Sequence, residues 1–184
     1  MVRPPLPDRR LRDFARDRAG TAAIEFAFVA GPFLFMIFAL IELALIFLLS
    51  TSLDAATDRA SREIRTGQFQ TAGQDAQAFK TKVCTGMTWL AGNCATALSV
   101  DVRTYTVYND VQQQSPVKTV DGKKLFDDAA IQFAASLPPS TIVVVRSYYR
   151  WPLISPLMNQ GLVKLDGGVA LVSSNQTFQT EPYQ

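Results

Sequence analysis

AAIEFAFVAGPFLFMIFALIELALIFLL, residues 22–49, decides the architecture of this chain. Only Glu25 and Glu42 interrupt a run of apolar, small or Pro residues. An α-helix rises about 1.5 Å per residue, so about 20 residues cross roughly 30 Å of hydrocarbon. This run is long enough with some to spare. A secretory signal carries an apolar core of only about 7–15 residues, which makes a retained spanning helix the expectation. The competing expectation is removal of the whole segment at the small residues Ser50-Thr51-Ser52.

Orientation follows from the flanks. Arg3, Arg9, Arg10, Arg12, Arg16 and Arg18 precede the run, diluted by Asp8, Asp13 and Asp17, and no Lys or Arg follows until Arg59. Basic residues near a helix end stay on the cytoplasmic side, so the N-terminus is expected inside and everything past about residue 50 outside. Ala23, Ala27 and Gly31 recur every four residues and form a small-residue face that a second helix can approach closely. Pro32 removes a backbone donor and is expected to kink or loosen the helix. Glu25, near the helix N-terminus, suits the macrodipole. Glu42 lies about 25 Å further along the axis. Either it faces headgroups at the far interface, or the outer part of the helix packs on protein and Glu42 hydrogen-bonds to a partner chain.

Beyond Leu49 the pattern turns amphipathic. Leu53, Ala56, Ala60 and Ile64 fall at helical spacing opposite Asp58, Arg59, Arg62 and Arg65, and no Gly or Pro intervenes until Gly67, which predicts one helix of about forty residues from Ala22. Gly67 to Gly73 reads as a polar turn. Asp75 is placed to cap a second helix from Ala76 to about Trp89, with Phe79, Val83, Met87 and Leu90 on one face. Cys84 and Cys94 are the only cysteines, the chain has no histidine, and an exported segment meets an oxidising compartment, so they are expected to be joined.

Three strands are expected: Leu98–Tyr108, whose Leu98, Val100 and Val102 alternate with Ser99, Asp101 and Arg103; Thr141–Trp151, β-branched, aromatic and ended by Pro152; and Gly168–Thr180. Leu125 to Leu137 reads as a helix stopped by Pro138-Pro139, and Leu153 to Gly168 as a loop holding a helical turn. The fold class is therefore α+β: a long N-terminal transmembrane spine helix packed on a small three- or four-stranded antiparallel sheet domain with short helices, an arrangement that resembles the general plan of pilin-like folds.

Composition narrows function. The chain has 184 residues, a formal net charge of +2 and 48% hydrophobic residues, which fits one membrane helix plus one small domain. Most of the excess base lies in the first eighteen residues, so the exported part offers no basic surface to nucleic acid, and the Arg cluster is better suited to anionic lipid. No catalytic, cofactor-binding or metal-ligating residues stand out: Gly-x-Ser-x-Gly, a phosphate loop and a metal constellation are all missing from the sequence. Asp127-Asp128 read as solvated charges on a helix. Tyr148-Tyr149-Arg150-Trp151 read as half core and half sheet edge, or as a partner or carbohydrate surface.

The stretch from Arg12 through Ala19-Gly20-Thr21-Ala22-Ala23-Ile24-Glu25-Phe26 places a glycine five residues before a glutamate at the mouth of an apolar helix. It resembles a type IV prepilin processing site, and in its Gly-x-x-x-x-Glu-Phe form it resembles the TadE-like proteins of tight-adherence pilus systems. The ending Phe178-Gln179-Thr180-Glu181-Pro182-Tyr183 is similar to the Glu-Pro-aromatic ending of such chains. The resemblance implies a prepilin peptidase that cuts between Gly20 and Thr21. It also implies partners among other pilins or pseudopilins and an assembly platform in the bacterial inner membrane, and a structural role in the pilus. A cut there frees an amine at Thr21, with which Glu25, or the Glu25 of a neighbour, can pair. The implied organisation is a cleaved leader 1–20, a transmembrane helix 21–49, an amphipathic extension 50–67 and an exported domain 68–184. The alternative is an uncleaved single-pass anchor whose exported domain binds an envelope partner or ligand.

Overall fold

The computed structural model describes residues 20–88, 92–112, 114–134, 136–154 and 164–182. The chain divides into two units, Met1–Ile41 and Glu42–Gln184. Helix α1 runs from Thr21 to Arg65 and continues through Pro32. In the first unit no residue from Thr21 to Ile41 is buried, and Phe26, Phe28, Val29 and Phe38 are each more than half exposed.

The second unit begins at Glu42, where the same helix acquires a buried stripe. Glu42, Ile46, Leu49, Leu53, Ala56, Ala60 and Ile64 recur at helical spacing and are buried against the sheet. That sheet has strand order β1-β4-β6-β5, comprising β1 (Leu98–Tyr105), β4 (Ile142–Pro152), β6 (Val169–Gln179) and a two-residue edge β5 (Lys164–Leu165). All pairings are antiparallel, with Leu98 opposite Tyr149 and Ile142 opposite Gln179. Three of the strands are long, and β4 is central and buried along most of its length, as its β-branched sequence predicts.

Alternation assigns the two faces. Leu98, Val100 and Val102 of β1, Val143, Val145 and Tyr149 of β4, and Val172 of β6 share one core with α1. A polar contact crosses the same interface, where Thr57 Oγ1 meets Ser147 Oγ at 3.0 Å. Short helices close the end of this core. α2 (Gln68–Thr71) carries the buried Phe69, so the segment expected to be only a polar turn contributes a core aromatic ring. Phe69 packs edge-on to Phe79 at 5.8 Å between centroids and near Phe133 at 6.2 Å. α3 (Ala76–Gly86) starts as expected, with Asp75 accepting the Ala78 N–H at 2.8 Å, and buries Phe79 and Val83. It ends three residues earlier than the predicted Trp89. Trp89 and Leu90 lie outside the described residues. Gly86 permits the close approach of α3 to α1, because a Cβ there would sit 2.9 Å from the Ala56 Cβ. α4 (Cys94–Ala97) leads directly into β1.

The second face of the sheet is covered over β1, β4 and the start of β6, while Ser173, Asn175 and Thr177 of β6 stay exposed, so Asp101 of the alternating β1 is buried. Hairpin β2 (Val117–Val120) and β3 (Lys123–Phe126) turns at Asp121-Gly122, both with positive φ (51° and 75°), the pattern of a type I′ turn. Its Val117 and Phe126 pack with Ile131 and Val169 on a smaller core of Tyr148, Leu165 and Leu171. The Asp166 N–H donates to the Lys124 carbonyl at 2.8 Å and ties the hairpin to β5.

The helix expected over Leu125–Leu137 does not form. Residues 123–126 are β3, Asp128–Ala130 is a 3-10 turn, and the following segment runs alongside β1 through a parallel bridge between Val102 and Phe133. The physical reason is that its apolar residues serve two different cores: Phe126 and Ile131 fill the outer one, Phe133 and Leu137 the helix-side one. A helix would have aimed them at one side. Asp127 and Asp128 are accordingly not on a helix. Asp127 pairs with Lys118 Nζ at 2.9 Å, which with its hydrogen bond holds the carboxyl below its usual range, while Asp128 faces Arg150 at 3.6 Å. β1 ends at Tyr105 instead of Tyr108, which opens the 3-10 turn Tyr108–Asp110.

Candidate processing and assembly site

The N-terminal site is built on the first turn of α1. Gly20 stands just before the helix, and its carbonyl accepts the Ile24 N–H at 3.2 Å. Gly20 is exposed, has no left-handed φ, and a Cβ added to it would meet nothing within 4 Å. The fold therefore makes no demand for glycine at this position. The same holds at Gly31, where a helical glycine costs about 1 kcal/mol relative to Ala and no intramolecular contact requires it. Thr21, Ala23, Glu25, Phe26 and Ala27 are all exposed, Phe26 at 74%. Gly20, Thr21, Glu25 and Phe26 thus lie together within the first turns of the helix, and Ala23, Ala27 and Gly31 line one side of it.

Glu42 belongs to a different environment. It is only 3% exposed, and its carboxylate accepts the Ile154 N–H from the stretch that follows β4. It faces neither headgroups nor water, and this hydrogen-bond donor comes from its own chain. The small residues Ser50, Thr51 and Ser52 sit in mid-helix, between the buried Leu49 and Leu53. Cleavage there would strip Glu42, Ile46 and Leu49 out of the packed unit.

Cys84 of α3 and Cys94 of α4 are joined, with their Cα atoms 5.6 Å apart. The bond fastens α3 to the segment that starts β1. At the opposite end of the sheet, the C-terminal stretch secures the end of α1. Thr180 is buried and exchanges hydrogen bonds with Thr141 and the Pro138 carbonyl. The Glu181 N–H then donates to the Arg65 carbonyl at 2.8 Å, and its carboxylate meets Arg65 Nε at 3.3 Å.

A buried ionic network was not anticipated from the sequence. Asp101 on β1 accepts from Arg103 Nε at 3.0 Å, Arg146 Nη1 at 3.2 Å and the Gln132 N–H at 2.8 Å. The two guanidinium groups also donate to the Ala130 and Gln112 carbonyls. One carboxylate is shared by two guanidinium groups, and through them and its own bond to Gln132 the cluster ties Gln112, Ala130 and Gln132 to the sheet. Tyr148 and Tyr149, on opposite faces of β4, both have hydroxyl pKa values raised by burial. Lys80 is lowered by burial and then by the positive charge of Arg150. The Arg150 guanidinium stacks over Phe126 at 4.9 Å, so of the Tyr148–Trp151 cluster, Arg150 serves the outer core and Tyr149 the helix-side core. Among the described residues no group of His, Cys, Asp and Glu is arranged to hold a metal ion.

Residues 20–62 match the family model described as TadE-like protein, from the glycine before α1 to the last turns of the helix. No curated protein and no solved structure matches the chain. The family is a non-enzymatic one of pilus assembly. Residues 20–62 of this protein, with their single long apolar helix, are a TadE-like domain.

Proposed function

We propose that this protein is a minor pilin or pseudopilin of a tight-adherence pilus, made as a precursor, cut by a prepilin peptidase after Gly20 and held by α1 in the bacterial inner membrane, with the sheet domain outside. The observation that carries this reading is the glycine the fold does not need. Gly20 is open, unstrained and exposed, so its identity is best explained by an external reader of the sequence, and the small residues after it give a peptidase an unobstructed scissile bond. Glu25 supports the assembly half of the reading. An exposed carboxylate in the first turns of a helix bound for hydrocarbon costs a few kcal/mol unless paired, and the amine freed at Thr21 supplies a partner. Other pilins and the assembly platform are the partners this role requires, with lipid around the helix.

The test is the N-terminal mass of full-length protein recovered from its native envelope. The expected chain begins at Thr21, and Gly20→Leu accumulates a precursor that keeps residues 1–20. Wild-type protein that retains its head in a host with an active prepilin peptidase overturns the reading.

A further inference from the structure

The outward side of α1 changes character at a different level from its inward side. Inward, the packed unit begins at Glu42 and continues through Ile46 and Leu49. Outward, large apolar side chains persist past that point: Leu43 is 54% exposed, Phe47 70% and Leu48 43%. Only from Thr51 and Asp54 onward does the exposed side become polar, followed by Arg59 and Arg62. Ile154 is 81% exposed, and its N–H is bound to the Glu42 carboxylate, which fixes it at the same helical level. Trp151, a residue type enriched at membrane interfaces and here half-buried against the helix-side core, lies near the end of β4.

Span length makes this overlap informative. Counting from Ala22, a helix has used the roughly 20 residues that cross a bilayer by Ile41. Leu43, Phe47 and Leu48 are surplus to the crossing. Glu42 would oppose deeper insertion if it faced lipid, since a carboxylate becomes costlier with depth, up to about 2.5–3.5 kcal/mol at the centre of a spanning helix. The domain removes that obstacle by burying Glu42 and supplying the Ile154 N–H. What remains outward at this level is apolar and continuous along one helix with the spanning segment.

We propose that the membrane-proximal rim of the sheet domain, formed by Leu43, Phe47, Leu48 and Ile154, is seated in the outer leaflet of the lipid bilayer. From Glu42 to Leu48 is nearly two helical turns, so the rim sinks about 10 Å, the depth of an interfacial apolar face. The domain then lies against the membrane before any assembly, and extraction must strip lipid from this rim. The inference rests on the reading that α1 crosses a bilayer.

Nitroxide labels test it on the full chain in phosphatidylcholine–phosphatidylglycerol vesicles at low protein density. No free cysteine competes with an introduced one, because Cys84 and Cys94 are joined. Labels go on Phe33→Cys within the span, on Phe47→Cys, Leu48→Cys and Ile154→Cys at the rim, and on Val107→Cys beyond the far end of β1. Collisions with oxygen report lipid and collisions with a nickel chelate report water. The expected result is an oxygen-to-nickel ratio severalfold higher at Phe47, Leu48 and Ile154 than at Val107, approaching that at Phe33. A lipid-like Phe33 with water-like rim positions overturns the seating and leaves the crossing intact. A water-like Phe33 overturns both. Rim labels shielded from both reagents until lipid dilution identify a second copy as the occupant and likewise overturn the proposal.

Discussion

Asp101→Asn is the substitution that best probes how the sheet domain is held together. The carboxylate receives three donors, two of them from guanidinium groups, and both it and Arg146 are buried. Neutralising it leaves Arg146 buried with the Gln112 carbonyl and turns an amide N–H₂ toward a cation. Removing one partner of a buried pair costs about 3–5 kcal/mol, whereas summing individual charge-assisted bonds would overstate the loss because they share one acceptor. For a unit of this size the midpoint of thermal unfolding should fall by about 10–20 °C. The companion variant, Asp101→Asn with Arg146→Met, removes the stranded charge and should recover a substantial part of that loss. The assay is urea unfolding of the full chain in detergent micelles, in a Trp89→Phe background so that the fluorescence is that of Trp151, whose ring lies 6.5 Å from Tyr149. A loss below about 1 kcal/mol for Asp101→Asn, or a double variant that merely adds the two single losses, would refute the argument that this network clamps the outer layer.

Joint replacement of Cys84 and Cys94 by Ser, across a sequence separation of 10, should cost about 3 kcal/mol in the chain-entropy account, and peptide mapping without reductant should recover one linked species from the wild type. Stability should decline in alkali. Tyr148 and Tyr149 have raised pKa values in the folded protein, so as pH climbs past the ordinary tyrosine value of 10.0 the unfolded chain loses its protons first and is favoured. The decline should continue until the folded groups also titrate, and Tyr148→Phe with Tyr149→Phe should flatten it in a pH series of urea midpoints. Glu25→Gln preserves size and removes charge, so the protein should be inserted and largely cleaved yet fail to co-purify with other pilins; normal piliation with this variant would leave Glu25 without a pairing role.

Much of this molecule follows from local rules. The apolar run of residues 22–49 forms a helix long and apolar enough to cross a membrane, and its continuation to Arg65 was legible in the spacing of Leu53, Ala56, Ala60 and Ile64. Asp75 announced α3, β-branching announced β4, and the pairing of Cys84 with Cys94 followed from the absence of any alternative ligand. Asp121-Gly122 between Val117–Val120 and Lys123–Phe126 was a readable hairpin signal that the helix-like spacing of Phe126, Ala130, Ile131 and Phe133 obscured. These features depend on a few neighbouring residues, and the chain carries them wherever it goes.

Other outcomes depended on what came to lie on top. Asp101 alternates with Val100 and Val102 as a solvent-facing residue would, and becomes buried because β4 sets Arg146 opposite it and the stretches holding Gln112 and Ala130–Gln132 lie over that face. Phe69 enters the core because α3 and the Phe133 segment converge around it, although its own neighbours are polar. Glu42 is indistinguishable in sequence from a carboxylate at a membrane surface, yet it is buried and accepts the N–H of Ile154, 112 residues away along the chain. Periodicity records which side of a helix or strand a residue takes; whether that side meets water, lipid or protein is fixed by long-range contacts whose desolvation and charge-pairing energies no local pattern contains.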